Sequence, residues 1–140
     1  MANSWKPKAS VVLIDDHPGA LMAACEIMKG EFDIVATAPC GDAALAAIST
    51  LHPDLVILDI GMPGKNGFET ARYLKKSACA TKIVFLTVME DADYAGAARE
   101  IGGSYVIKRR MHSDLLAAAR EAMEGKLFFS PTPPSGSHLA

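Results

Sequence analysis

Leu55-Val56-Ile57-Leu58-Asp59-Ile60-Gly61-Met62-Pro63-Gly64 is the stretch on which the fold turns. Four apolar residues in a row, without the alternation of a half-exposed strand, read as a strand buried on both faces, the usual state in a parallel sheet. The Gly and Pro residues behind it make a loop. Asp59 therefore stands at the carboxyl end of a central strand, where open α/β sheets place their sites. A second run of the same kind, Val11-Val12-Leu13-Ile14, ends in Asp15-Asp16. If the two strands are neighbours, the carboxylates of Asp15, Asp16 and Asp59 meet at one sheet edge.

Such a meeting is unfavourable by itself. Two unit charges about 4 Å apart repel by roughly 4 kcal/mol at an effective dielectric near 20. The acids either raise one another's pKa or share a cation, and a hard divalent ion with oxygen ligands, most simply Mg²⁺, fits them. The plainer reading is three unrelated loop acids, since Asp is common at strand ends and turns.

Outward from these strands, strand and helix patterns alternate along the chain. Strand-like runs lie near Val11 to Asp15, Asp33 to Ala38, Leu55 to Asp59, Ile83 to Thr87 and Tyr105 to Lys108. Pro18 suits a first helical position, and Leu21, Ala24, Cys25 and Met28 then share a face up to Gly30. Ala44, Leu45 and Ile48 form a second stripe, and Phe68, Ala71 and Leu74 a third, with Lys75 and Lys76 placed to complement the helix dipole. The fourth helix, from about Asp91 to Ile101, is weakened by Gly96, which costs about 1 kcal/mol against Ala. The fifth is expected from Asp114 to Glu124, with Ser113 as its N-cap. Strands and helices that alternate through short links build a parallel sheet covered on both faces. Right-handed crossovers and the acids after strands one and three select a doubly wound (βα)5 sheet of order 2-1-3-4-5, flavodoxin-like.

At 140 residues the chain suits one domain with a real core. Its 50% hydrophobic and 21% charged residues are those of a globular protein, and a net charge of -2 gives no nucleic-acid footprint. Cys25, Cys40 and Cys79 show no metal spacing and are expected as buried reduced thiols. No apolar stretch approaches the ~18 residues of a membrane span, and residues 1–8 lack the apolar core of a signal peptide, so a cytoplasmic location is expected. Residues 1–9 are expected as an N-terminal arm, 10–126 as the folded domain, and the Pro-rich 127–140 as a linker or tail.

Two further residues point at the same edge. Thr87 ends the fourth strand and Lys108 the fifth. Taken singly, Thr is an ordinary strand residue and a terminal Lys an ordinary solvated charge. With Ile14-Asp15-Asp16-His17-Pro18, Pro53 to Asp59, Met62-Pro63 with Gly67, Leu86-Thr87, and Gly102-Gly103-Ser104-Tyr105-Val106-Ile107-Lys108 in this order, the chain resembles the receiver domain of bacterial two-component response regulators. The match runs from residue 10 to about 126. The opening Asp-Asp-His-Pro and the closing Glu124 to Pro131 look most like the subgroup with a C-terminal helix-turn-helix DNA-binding domain.

The resemblance implies a function. Asp59 would accept a phosphoryl group from a sensor histidine kinase. Asp16, Asp59 and the backbone carbonyl of Gly61 would hold Mg²⁺, with Asp15 acting mainly through water. Lys108 and Thr87 would each bind a phosphoryl oxygen. Tyr105 matches the aromatic that turns inward as Thr87 moves, although a strand aromatic packed on a helix explains it equally well. Phosphorylation would favour a homodimer, DNA would be met only through a C-terminal domain beyond residue 140, and no membrane is involved. The chain would be a signalling domain rather than an enzyme, able to catalyse its own phosphorylation and dephosphorylation.

Departures from the family pattern are local. Arg109 and Arg110 follow Lys108 where Pro or an acid is usual, so a trans peptide is expected at Lys108-Arg109. Val88 replaces a small residue and is expected to crowd the pocket. Gly61 and Met89 flank the route by which water reaches the phosphoryl group. Three rivals differ in class. A haloacid-dehalogenase-like phosphatase would carry Asp-x-Asp after the first strand and an inserted cap. A flavodoxin-like cofactor binder would need phosphate donors where Asp15-Asp16 stand. The third, a receiver-like interaction module that works without phosphorylation, is the alternative kept.

Overall fold

The computed structural model describes residues 7–62, 64, 66–77 and 80–133. The chain runs β1 (Ser10–Ile14), α1 (Pro18–Met28), β2 (Asp33–Ala38), α2 (Gly41–Leu51), β3 (Leu55–Leu58), α3 (Gly67–Lys76), β4 (Lys82–Thr87), α4 (Ala92–Ile101), β5 (Ser104–Ile107), a 3-10 turn (Lys108–Arg110) and α5 (Met111–Met123). The five strands are parallel in the order β2-β1-β3-β4-β5, as expected. The topological switch lies between β1 and β3.

Strand alternation divides the core in two. Val12, Ile14, Val56, Leu58, Ile83, Phe85, Tyr105 and Ile107 face one side and bury Ala44 and Ile48 of α2, Ala71 and Leu74 of α3, and Ala98 of α4. Val11, Leu13, Leu55, Ile57, Val84, Leu86 and Val106 face the other and bury Ala24 and Met28 of α1 and Leu115, Ala118, Ala119 and Ala122 of α5. With both faces covered, β3 has no polar side, which is why its residues read as an unbroken apolar run. Phe68 opens α3 and meets Phe85 edge-on at 5.1 Å between ring centroids. A reciprocal capping box starts α3: Asn66 Oδ1 accepts from the Glu69 amide at 3.0 Å, and Glu69 Oε1 accepts from the Asn66 amide at 2.9 Å.

Several expectations need correction. Helix α5 begins at Met111, so Ser113 is not its N-cap; the Ser113 hydroxyl lies within the first turn, 3.1 Å from Arg110 O and 2.9 Å from Asp114 Oδ1. Met111 is buried and carries the apolar stripe forward. Lys108 is the first residue of the 3-10 turn rather than the last of the strand. The peptide bond after it is trans, as expected. Cys25 and Cys40 are half-buried and free, not fully buried; burial, with Glu26 beside it, pushes the Cys25 thiol up. Cys79, Pro63, residues 1–6 and residues 134–140 lie outside the described residues.

The stretch expected to be a linker or tail is docked as far as Ser130. The Tyr105 amide donates to Phe128 O, and the Ser130 amide donates to Tyr105 O, both at 2.8 Å, so residues 128–130 run parallel to the free edge of β5. Phe129 lies under the Arg99 guanidinium of α4, 4.0 Å from ring centroid to Cζ. Among the described residues no helix is long and apolar enough to cross a membrane.

Candidate functional site

The strand register brings the acids together. Ile14 pairs with Leu58 across β1 and β3, so the next residues, Asp15 and Asp59, leave the sheet side by side. Backbone bonds extend the ladder past both strand ends: the Asp59 amide donates to Ile14 O at 2.9 Å and the Asp15 amide to Ala38 O at 3.0 Å. On the far side, Thr87 pairs with Ile107 across β4 and β5, which places Thr87 and Lys108 at the same edge.

Asp15 and Asp59 are buried, and the Asp16 side chain is about a quarter exposed. Lys108 Nζ lies 2.7 Å from Asp15 Oδ2 and 3.5 Å from Asp59 Oδ2. Burial pushes the Asp59 carboxyl up and the neighbouring Asp15 charge adds to this, while Lys108 and the Gly61 amide, 3.3 Å from Oδ1, pull the other way. Among the described residues, Asp15 Oδ2 and Asp16 Oδ1 are buried without an aligned hydrogen bond, although Lys108 Nζ lies 2.7 Å from the first and His17 Nδ1 3.1 Å from the second. A buried carboxylate oxygen left in that state is a group suited to a cation. One ligand atom from each of Asp15, Asp16, His17 and Asp59 lies within 4.8 Å of the others, so the cluster can hold a metal ion.

The sequence reading passed over His17 as a site residue. Its signal was its place, directly after two acids and before Pro18. It also passed over an ion pair at the rim: Arg109 forks onto Glu90 at 2.9 and 2.8 Å, which joins the loop after β4 to the turn after β5 and lowers the Glu90 carboxyl below its usual range.

Thr87 and Tyr105 meet at Met89. The buried Thr87 hydroxyl accepts from the Met89 amide at 3.2 Å, and the Tyr105 hydroxyl donates to the Met89 carbonyl. The Tyr105 ring is fully buried, and burial followed by the charge of Asp91 holds its phenol well above the ordinary range. Val88, expected to crowd the pocket, keeps 62% of its surface in solvent and does not fill the site from inside. A cavity of about 770 Å³, lined by Ile48, Pro53, Tyr73, Leu74 and Lys82 among others, lies at the opposite edge of the sheet and contains none of these groups.

Comparison with known proteins agrees with this geometry. A family model described as "Response regulator receiver domain" matches residues 11–121. The nitrate/nitrite response regulator protein NarL of Escherichia coli (strain K12) is 31% identical over 125 residues, which covers 87% of this chain and 58% of that protein. The DNA-binding transcriptional activator EvgA of the same strain is 30% identical over 122 residues, 86% of this chain and 60% of that protein. The crystal structure of a two-component response regulator of the LuxR family from Aurantimonas sp. SI85-9A1 superposes with a TM-score of 0.83 at 28% identity, over 89% of this chain and 91% of that one. The chain thus spans about three fifths of the length of these curated relatives.

Proposed function

The chain belongs to the response regulator receiver domain family, and from that premise we propose that Asp59 is its phosphoacceptor, working with a divalent cation, Lys108 and Thr87. The observation that carries this reading is the convergence of Asp15, Asp16 and Asp59 with the Lys108 ammonium on two of them. An Asp59 carboxylate oxygen attacks phosphorus of a phosphohistidine; the P–N bond breaks, and its electron pair returns to the imidazole of the sensor kinase. The result is an aspartyl phosphate. Lys108, already 3.5 Å from Asp59, is positioned to neutralise a phosphoryl oxygen. The Thr87 hydroxyl would exchange its bond to the Met89 amide for a second phosphoryl oxygen.

Asp16, Asp59 and the Gly61 carbonyl would hold Mg²⁺, with Asp15 acting mainly through water. When bound, the ion screens the carboxylate from the incoming group and stabilises charge on its equatorial oxygens. The relatives named above are a response regulator and a DNA-binding transcriptional activator. We infer that this receiver answers a sensor histidine kinase, dimerises on phosphorylation, and controls transcription through a C-terminal DNA-binding domain of the full protein.

The test is phosphorylation by acetyl phosphate with Mg²⁺. The expected product is one base-labile phosphoryl group, absent in Asp59→Asn and in a chelator. Equal labelling of wild type and Asp59→Asn would overturn the assignment, and no labelling of either would favour the phosphorylation-independent module.

A further inference from the structure

His17 is the one member of the cluster with a nitrogen donor, and local sequence fixes where it points. Pro18 disfavours the helical region for the residue before it. His17 accordingly takes φ -100° and ψ 107° as the N-cap of α1, and its amide donates to Asp15 Oδ1 at 2.8 Å. The imidazole then turns back over the acids. Nδ1 lies 3.1 Å from Asp16 Oδ1, 3.2 Å from Asp15 Oδ1 and 3.8 Å from Asp59 Oδ2. Ligands about 2.1 Å from an octahedral ion stand about 3.0 Å from their neighbours in the shell. The imidazole nitrogen is thus spaced from Asp16 Oδ1 as adjacent vertices of one shell are, and the 3.8 Å to Asp59 Oδ2 is a gap that rotation of the ring can close. Its ring is 62% exposed, so it can adjust to an ion without disturbing the core.

Resting on the reading of the acid cluster as the cation site, we propose that His17 is a nitrogen ligand in that site and biases it toward late first-row divalent ions such as Co²⁺ and Zn²⁺. Imidazole adds much to the affinity for these ions and little for Mg²⁺, which favours oxygen donors and gives up its water reluctantly. A site built only from carboxylates and a carbonyl has a weaker bias of this kind.

The experiment titrates the full chain with Co²⁺ and, separately, with Mg²⁺ at one fixed pH. Wild type, His17→Ala, His17→Gln and Asp59→Asn are compared by calorimetry and by the visible spectrum of the Co²⁺ complex. Both His17 variants are expected to lose about tenfold or more in Co²⁺ affinity, with an altered Co²⁺ spectrum, and less than about twofold in Mg²⁺ affinity. An unchanged Co²⁺ affinity and spectrum, or equal losses for both ions, overturns the proposal while leaving the acidic site intact. If Asp59→Asn binds both ions as wild type does, the cation site itself has been misassigned, and the proposal fails with it.

Discussion

Asp59 is held in place by its backbone as much as by its charge. Its carbonyl oxygen would sit 2.2 Å from a Cβ built on Gly67, and Ile60 Cα 2.7 Å from it. Helix α3 therefore starts against the very peptide that carries the Asp59 side chain, with the Gly67 amide donating to Ile60 O at 2.9 Å. No side chain fits there, and the atoms in the way are backbone, which cannot rotate aside. We expect Gly67→Ala to destabilise the domain by about 1–3 kcal/mol, the usual scale of overpacking. Urea unfolding should show this as a lower midpoint at constant m. The same shift should slow labelling of Asp59 by acetyl phosphate, because a displaced carboxylate no longer meets Lys108. Wild-type stability and labelling in Gly67→Ala would show that the contact is slack.

At the scale of elements, the strap from Phe128 to Ser130 is tied to α5 through one carboxylate. Asp114 is buried, which by itself would raise its pKa; hydrogen bonds from Arg110, Ser130 and Ser113 outweigh this and hold it below the usual range. The Ser130 hydroxyl donates to Asp114 Oδ2 at 2.7 Å and accepts from the Ile107 amide at 3.1 Å. A group depressed in the folded state stabilises it above the unfolded pKa, about 3.9 for Asp. That stabilisation is lost as pH falls through the folded value, because the unfolded chain then binds the proton first. Wild type should therefore lose stability steeply below about pH 4, and Asp114→Asn should show a shallower acid limb in thermal melts. An identical limb in the two proteins would place the acid-sensitive contacts elsewhere. This strap also marks where the sequence stops being readable. The four-residue run of β3 announces a doubly covered strand because both of its faces are buried, and the paired acids follow from the strand order. Residues 127–130 run straight into the Pro-rich segment that reads as a linker, and their order depends on the unfilled edge of β5, a tertiary fact. Phe128 and Phe129 are half-buried there, while Leu127 stays exposed. The start of α5 was hidden for a related reason: its N-cap, Arg110, has no capping side-chain bond, and the basic residues before it resemble a solvated turn. The nearness of His17 to the acids depends on the extended backbone it takes before Pro18, which the sequence alone does not place over them.

On the scale of the whole molecule, the acidic edge and the C-terminal strap are linked by a short chain of contacts. Thr87 and Tyr105 bind the two ends of one peptide residue, Met89. Tyr105 is also the β5 residue whose amide and carbonyl pair with the strap. On the proposed function, a phosphoryl group on Asp59 that drew the Thr87 hydroxyl away from Met89 would free the loop before α4. The Tyr105 hydroxyl must then keep or lose its carbonyl partner with that loop. Helix α4 is a poor brace against such movement, since Gly96 lowers its intrinsic stability and Ala98 is its one buried residue. The disturbance has a physical path to Phe129, which Arg99 of α4 covers, and from there to whatever follows the strap. A beryllofluoride adduct on Asp59, which stands in for the phosphoryl group, provides the measurement. Hydrogen exchange should change across residues 88–108 and also at 127–130, and the sedimentation coefficient should rise with concentration as dimers form. Change confined to 88–108 would cut the strap out of the path. Exchange unchanged in both segments, with a constant sedimentation coefficient, would falsify the switch as a whole.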